Sequence, residues 1–466
     1  HLLDPFYRLK LDENKCSPGN NSINWWNLLT YIGGNSNKIV RYKELPNPSP
    51  LWSVTFPNIL INNMAKVRPF TAIRPSRDKA HLLASRSYLT YSEETLKEKL
   101  ENNPFTFLHI INPDFNSKEK KNGDVKFNHI RDKYLEFIEK GYLIQDKSDY
   151  FYLYQQTKGK DNFEGIIAAS SVEDYCNGTI KVHEHTLEKR EKMFKEYLDV
   201  TGFNSDPVLL AYESNKKIND IITKNKRARP EYEFTTTDKV LHKLWIIGNE
   251  SVNSIISEFK KINKIYIADG HHRTSSSALL SKEKKFNKNH NGNFFMSLLI
   301  SEEQLKIDSF YRLVEDLNGL SVDDFLEKIR KKFKIKNKQN CESCKKNEIG
   351  MYIDGKSYIL IARNESYSTD CISKLDCSIL SKNILSSILD IKNERIDNRL
   401  SFVAGKISIK EIKRRVDKKK YAVAFILNPI EIEDIKEVAD EQKVMPPKST
   451  YIEPKLRSGL TIYPIE

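Results

Sequence analysis

Asp269-Gly270-His271-His272-Arg273 places one carboxylate, two imidazoles and a guanidinium within five residues. A second group lies well upstream: Lys181, His183, Glu184 and Arg190. Together they supply general acid–base and anion-binding chemistry. Phosphoryl transfer needs such a set, because cations and backbone amides hold the phosphates, a carboxylate holds the metal ion, and a base takes the acceptor's proton. Hydrolysis of a phosphoester would use nearly the same groups, so the residues leave transfer and hydrolysis both open. The bland alternative is a polar turn whose histidines are satisfied by neighbours. His183 and His185 would share a face on a strand, where they could ligate a metal, but would diverge on a helix.

The elements around these residues set their geometry. The β-branched run Ile265 to Ala268 predicts a buried strand, Asp269-Gly270 breaks it, and Thr274 to Leu280 is helix-compatible. A strand that turns into a helix at Gly leaves unpaired N–H groups at the helix start, which with the dipole favour an anion. Further strands are expected at 105–111, 150–154, 165–171, 206–212, 243–247 and 294–300. A hairpin is expected over 351–361, turning at Asp354-Gly355. Helices are expected at 134–140 (ended by Gly141), 187–197, 322–333 and 379–389. Thr90 and Glu93 fit a capping box at the start of another. Alternating strands and helices predict an α/β to α+β fold.

Lys+Arg 76 against Asp+Glu 63 gives a net charge of +13, which suits an anionic partner. Acids and bases are interleaved and no basic tail appears, which argues against nucleic acid. Six cysteines do not make a disulfide framework, and the chain reads as cytoplasmic. Cys341 and Cys344 form a lone CxxC without a second pair. No stretch approaches the roughly eighteen apolar residues of a membrane span. GxxxxGK[ST], GxGxxG, HExxH and GxSxG are all missing.

Residues 1–63 are rich in turn and breaker clusters, and Met64 is the first methionine. A poorly structured extension over 1–63 is therefore expected, with ordered structure from Met64. The Lys- and Asn-rich stretch 282–291 marks a boundary between a domain at 64–290 and one at 291–466. The end of the chain carries Lys448, Ser449, Thr450, Lys455 and Arg457 among prolines; it reads equally as a frayed tail or as a loop folded back onto phosphate.

Four motifs carry a resemblance: Met64-Ala-Lys-Val-Arg-Pro-Phe, Gly178-Thr-Ile-Lys-Val-His-Glu-His-Thr, Tyr266-Ile-Ala-Asp-Gly-His-His-Arg and Met445-Pro-Pro-Lys-Ser-Thr. In this order they resemble the bacterial family of unknown function DUF1015, from about Met64 to the C-terminus. The Asp-Gly-His-His-Arg turn is also similar to that of free-serine kinases of the ParB/sulfiredoxin superfamily. The resemblance implies a ParB-like catalytic domain at 64–290, a smaller α+β domain at 291–466, and phosphorylation of L-serine to O-phosphoserine using ATP or ADP with Mg²⁺. Carried over by position, Asp269, Gly270, His271, His272 and Arg273 would form the nucleotide-phosphate and metal turn, with Asp269 on the metal. Thr274, Lys181, His183, Lys448 and Lys455 would add phosphate contacts. Glu184, flanked by the family motif, is the candidate general base by its chemistry. Ala84-Ser85-Arg86-Ser87-Tyr88 departs from the Ala-Pro-Pro-Tyr-Asp of bacterial members, adding a cation and removing an acid. Other ParB relatives bind DNA in a nucleotide-dependent way, which is the alternative from a different class.

Overall fold

Alternate residues of the strand Asp161–Ser171 point to opposite faces of a sheet, and both faces are dry. Ile166 and Ala168 pack with Phe151, Leu153 and Leu299, whereas Ile167 and Ala169 pack with Tyr152, Tyr154 and Met296. A strand buried on both sides belongs to the middle of a layered α/β structure. The computed structural model describes residues 64–115, 122–338 and 345–466, all within one compact unit. The expected extension at 1–63 and the Cys341–Cys344 pair lie outside the described residues.

The larger sheet has nine strands, with Val67–Arg68 pairing Asp161–Ser171 off its main path. Along that path the strands are Ile180–Lys181, Ile265–Asp269, Val208–Tyr212, Phe294–Ser301, Asp161–Ser171, Phe151–Lys158, Leu241–Ile247 and Tyr232–Thr235. Two neighbour pairs are parallel: Ile265–Asp269 with Ile180–Lys181, and Phe294–Ser301 with Val208–Tyr212. The helices Lys216–Asn225 and Asn249–Phe259 cover one face through Ile218, Ile222, Ile255 and Phe259. A six-stranded antiparallel sheet forms the second layer system, ordered Phe333–Asn337, Lys356–Ala362, Glu348–Ile353, Val423–Ile426, Phe310–Val314 and Leu400–Ala404. The chain is therefore mixed α/β. The strand Phe294–Ser301, beyond the Lys- and Asn-rich stretch, sits inside the larger sheet.

Several local expectations change. The segment 105–111 is not a strand: Leu108–Ile111 is a helical turn, since a short apolar run suits a buried helix equally well. Ser92, not Thr90, caps the helix Glu93–Asn102, its hydroxyl accepting from the Thr95 amide. The helix expected over 379–389 is a short α-turn, Asp376–Leu380, followed by a π-helix at Ser381–Ser386. The hairpin turns at Asp354 and Gly355, both with positive φ (47° and 72°) as a type I′ turn demands.

The tail after Val444 does not fray. Met445 donates its amide to the His183 carbonyl at 2.9 Å, and Tyr451–Glu453 pairs with Lys306–Asp308. Ser458 pairs with Ser85, Ile462 with Ile73, and Tyr463–Pro464 with Phe203–Asn204. The last twenty or so residues are thus a strap, paired to segments outside the larger sheet and tied to that sheet where Gln156 donates to the Lys455 carbonyl at 3.3 Å. Among the described residues, no helix is long and apolar enough to cross a membrane.

Candidate active site

The parallel pair Ile265↔Ile180 and Tyr266↔Lys181 sends two distant segments off the same edge of the sheet in the same direction. Ligands of open α/β sheets gather beyond the carboxyl ends of parallel strands. There Ile265–Asp269 turns through Gly270 into the helix His271–Lys284, while Lys181 runs into a loop carrying His183 and Glu184.

Gly270 has φ 107°, a conformation that a Cβ disfavours, and a Cβ there would come within 2.9 Å of Arg273 Nη2. Glycine therefore lets Arg273 fold over the turn and donate to the Pro207 carbonyl at 3.0 Å. The helix has no side-chain N-cap. Thr274 is fully buried and its hydroxyl donates back to the Gly270 carbonyl at 3.3 Å, so it holds the first turn and shows no surface to a ligand. Ser275, Ser276 and Ser277 likewise donate to carbonyls inside the helix.

His183 and His271 are buried and meet edge to face, with ring centroids 4.6 Å apart. Glu184 Oε2 stands 3.8 Å from His271 Nδ1. Burial drives the His183 imidazole down to about 4, partly opposed by Asp269. Burial also holds His271 well below the ordinary histidine range, with His183 adding to the effect. His272 is lowered by burial and then by Arg190. All three rings are therefore neutral near pH 7. His183 Nδ1, His271 Nε2 and His272 Nδ1 are buried without a hydrogen-bond partner. Three unsatisfied imidazole nitrogens in one place are costly unless something binds them, which counts against the bland polar turn.

The carboxylates are set apart by their neighbours. Partial desolvation raises Glu184 above the usual range although its side chain is 45% exposed, with Lys448 pulling it down and Asp269 pushing it up. Burial also pushes Asp269 up, but Lys455 and Arg273 outweigh it and hold that group below the usual range. Lys455 Nζ donates to Asp269 Oδ2 at 3.0 Å. One carboxylate is thus poised to take a proton and the other to stay charged.

The strap brings Lys448 and Lys455 to this edge, so the tail folds back rather than fraying. Arg395, which sequence reasoning did not single out, adds positive charge toward Glu184 and His272. No local pattern marks it; only its place in the fold does. His185 is exposed whereas His183 is buried, so the two do not share a face as a metal pair would require. Among the described residues, no group of three or more His, Cys, Asp or Glu is placed to hold a metal ion. Arg86, whose loop departs from the bacterial pattern, ion-pairs with Asp238, which also accepts from the buried Arg457.

No curated protein matches the sequence. Among solved structures, a free serine kinase in complex with AMP is similar at 14% identity, covering 64% of this chain and 90% of its own, with a TM-score of 0.33. SbnI with a C-terminal truncation, from Staphylococcus aureus, is similar at 12% identity, with 64% and 87% covered and a TM-score of 0.36. A conserved hypothetical protein from Pyrococcus furiosus is similar at 14% identity, with 63% and 91% covered and a TM-score of 0.32. The family of proteins of unknown function DUF1015 matches residues 67–378, about two thirds of the sequence, and the chain belongs to that family.

Proposed function

We propose that this protein transfers a phosphoryl group from ATP or ADP to the hydroxyl of a small metabolite, L-serine first. The observation that carries the reading is the convergence of Glu184, the neutral His183–His271 pair and the Lys455–Asp269 ion pair at the uncapped start of one helix. L-serine as the acceptor rests on the resemblance of the Asp-Gly-His-His-Arg turn.

In the proposed reaction the serine hydroxyl oxygen attacks the terminal phosphorus of the nucleotide. The bond from that phosphorus to the bridging oxygen breaks, and the nucleotide leaves one phosphate shorter. Glu184 accepts the hydroxyl proton, a role its raised basicity suits. The amides at the start of the helix, with Lys448, Lys455 and Arg395, face the phosphate charge. Mg²⁺ ordinarily binds through one or two carboxylates plus substrate phosphates, so Asp269 alone on the protein side is compatible with it. There the ion would neutralise phosphate charge.

Protein incubated with L-serine, Mg²⁺ and either nucleotide is expected to yield O-phosphoserine, read by mass spectrometry. No product with ATP or with ADP overturns the serine-kinase reading. Glu184 is 45% exposed, so water reaches it as well. Free phosphate forming equally fast without serine would favour a hydrolase.

A further inference from the structure

Arg312 carries a charge into the core of the six-stranded sheet, where its side chain is fully buried in the strand Phe310–Val314. The titratable groups that bear on it are Cys377 and Glu394. Its Nε, without an acceptor, lies 4.0 Å from Glu394 Oε2, too far for a hydrogen bond but close for two charges in a dry interior. A buried ion pair is weak evidence for stability, because apolar side chains of the same volume often serve as well. The contacts of this guanidinium point instead to geometry. Nη1 donates to the Phe310 carbonyl at 2.6 Å, and Nη2 reaches the Pro447 carbonyl at 3.5 Å. The planar fork fixes both directions at once.

Glu394 and Pro447 each stand immediately before a cation that acts on Glu184: Arg395 and Lys448. At Arg395 the chain is a turn closed on itself, with the Ile396 and Asp397 amides both donating to the Asn393 carbonyl. Glu394 ties that turn inward, since it is 8% exposed and accepts from the Ser381 hydroxyl of the π-helix. At Lys448 the backbone has φ 54°, a left-handed conformation that a side chain disfavours. The Met445 amide donates to the His183 carbonyl at 2.9 Å and the Ser449 hydroxyl to the Pro446 carbonyl at 2.7 Å, with Arg312 on the carbonyl between. Residues persist in such conformations where their surroundings over-determine them, and they cluster at functional sites.

We propose that Arg312 is a positioning residue: set between Glu394 and the Pro447 carbonyl, it fixes the two turns that aim Arg395 and Lys448 at Glu184. What the two cations do there rests on the phosphotransfer reading; that Arg312 holds both turns does not. Lys448, Arg395 and Lys455 favour the charged form of Glu184, Asp269 opposes it, and the neutral His271 stands beside it. Loosening Arg395 and Lys448 therefore makes Glu184 more basic.

Trypsin cleaves after Arg395 and Lys448 themselves, so mass spectrometry of fragments from the native full chain, without nucleotide, reads both turns. Arg312→Met is expected to speed both cuts roughly tenfold relative to cuts elsewhere, and Glu394→Gln the cut after Arg395, because proteolysis follows the population of the opened segment. Ile412→Val, which thins the packing on Leu313 at the opposite face of the same sheet, is expected to leave both cuts unchanged. In phosphoserine formation, the acid limb of kcat/KM is expected to move to higher pH in Arg312→Met and Glu394→Gln but not in Ile412→Val; a loss of folded enzyme alone lowers the profile without moving it. Unchanged cutting at either turn in Arg312→Met, or equal acceleration by Ile412→Val, overturns the proposal, and faster cutting with an unmoved limb overturns the positioning role. If Arg312→Met does not fold, Glu394→Gln decides at Arg395. A wild type that makes no phosphoserine removes the kinase reading, while the cleavage still decides whether Arg312 holds the turns.

Discussion

Glu184 Oε2 lies 3.8 Å from His271 Nδ1, although one side chain comes from the loop after the strand Ile180–Lys181 and the other from the first residue of the helix His271–Lys284. A carboxylate raised by partial desolvation beside a neutral imidazole forms a pair with one clear base. Glu184→Gln keeps the shape and removes the base, and it should lower phosphoserine formation by roughly 100-fold. His271→Ala should cost a similar factor. Near-normal turnover by either variant, measured with saturating nucleotide, would remove that residue from the mechanism.

The Lys455–Asp269 pair makes a different prediction, because it concerns binding more than proton transfer. Lys455→Met deletes the charge that holds Asp269 ionised and removes one cation from the phosphate side. Hydrogen bonds to charged groups contribute roughly 1.5–3 kcal/mol, so nucleotide affinity should fall about tenfold or more. Titration calorimetry with ADP checks this, and unchanged affinity would place the phosphates elsewhere.

Both motifs of this site are visible in the sequence, as is the strand-to-helix turn at Gly270, because glycine and β-branched runs are local signals. Their meeting is not visible, since the parallel register Ile265↔Ile180 joins positions with no shared periodicity. Arg395 is missed for a related reason: an exposed cation in a Lys-rich chain looks like any other surface charge until the fold sets it beside Glu184 and His272. The tail shows the opposite limit. Its prolines and lack of period read equally as a frayed end or a folded-back loop, and long-range pairings such as Ile462 with Ile73 decide for the fold-back.

Gly270→Ala tests the turn itself. At φ 107° an L side chain is strained by roughly 1–2 kcal/mol, and the new Cβ would press on Arg273. Stability should fall by about that amount in urea denaturation. Gly355→Ala, at φ 72° with open space around it, serves as the control, destabilising the fold without lowering turnover. Equal activity losses in both variants would reduce the Gly270 effect to stability alone.

Asp376 gives stability a pH dependence away from the candidate site. Burial raises its carboxyl to about 7, opposed by the Asn347 amide, which donates to it at 2.8 Å. The folded state therefore holds this proton more tightly than the unfolded chain does. Its contribution is fully present below the unfolded value near 4 and is lost as pH rises through about 7. Asp376→Asn should flatten the fall in stability between those limits, and an unaltered slope in denaturation at several pH values would assign it to other groups.

The strap depends on a charge cluster that also joins it to the Ser85–Tyr88 loop. Arg457, buried, donates to Asp238 Oδ1 and Oδ2 at 2.7 and 2.8 Å, and Arg86 reaches the same carboxylate. Against the effect of burial, the Thr236 hydroxyl and then Arg457 and Arg86 hold the Asp238 carboxyl far below the usual range. Removing the acid would leave two guanidinium groups facing each other, one without access to water. Asp238→Ala should therefore cost roughly 2–4 kcal/mol, discounted because Asp238 itself is a quarter exposed. Because Lys448 and Lys455 ride on the same strap, turnover should fall along with stability, and the tail should become a protease target under conditions where wild type resists. If Asp238→Ala unfolds at the wild-type urea midpoint, the strap is held by its backbone pairings alone, and the cation added at Arg86 does not fasten it.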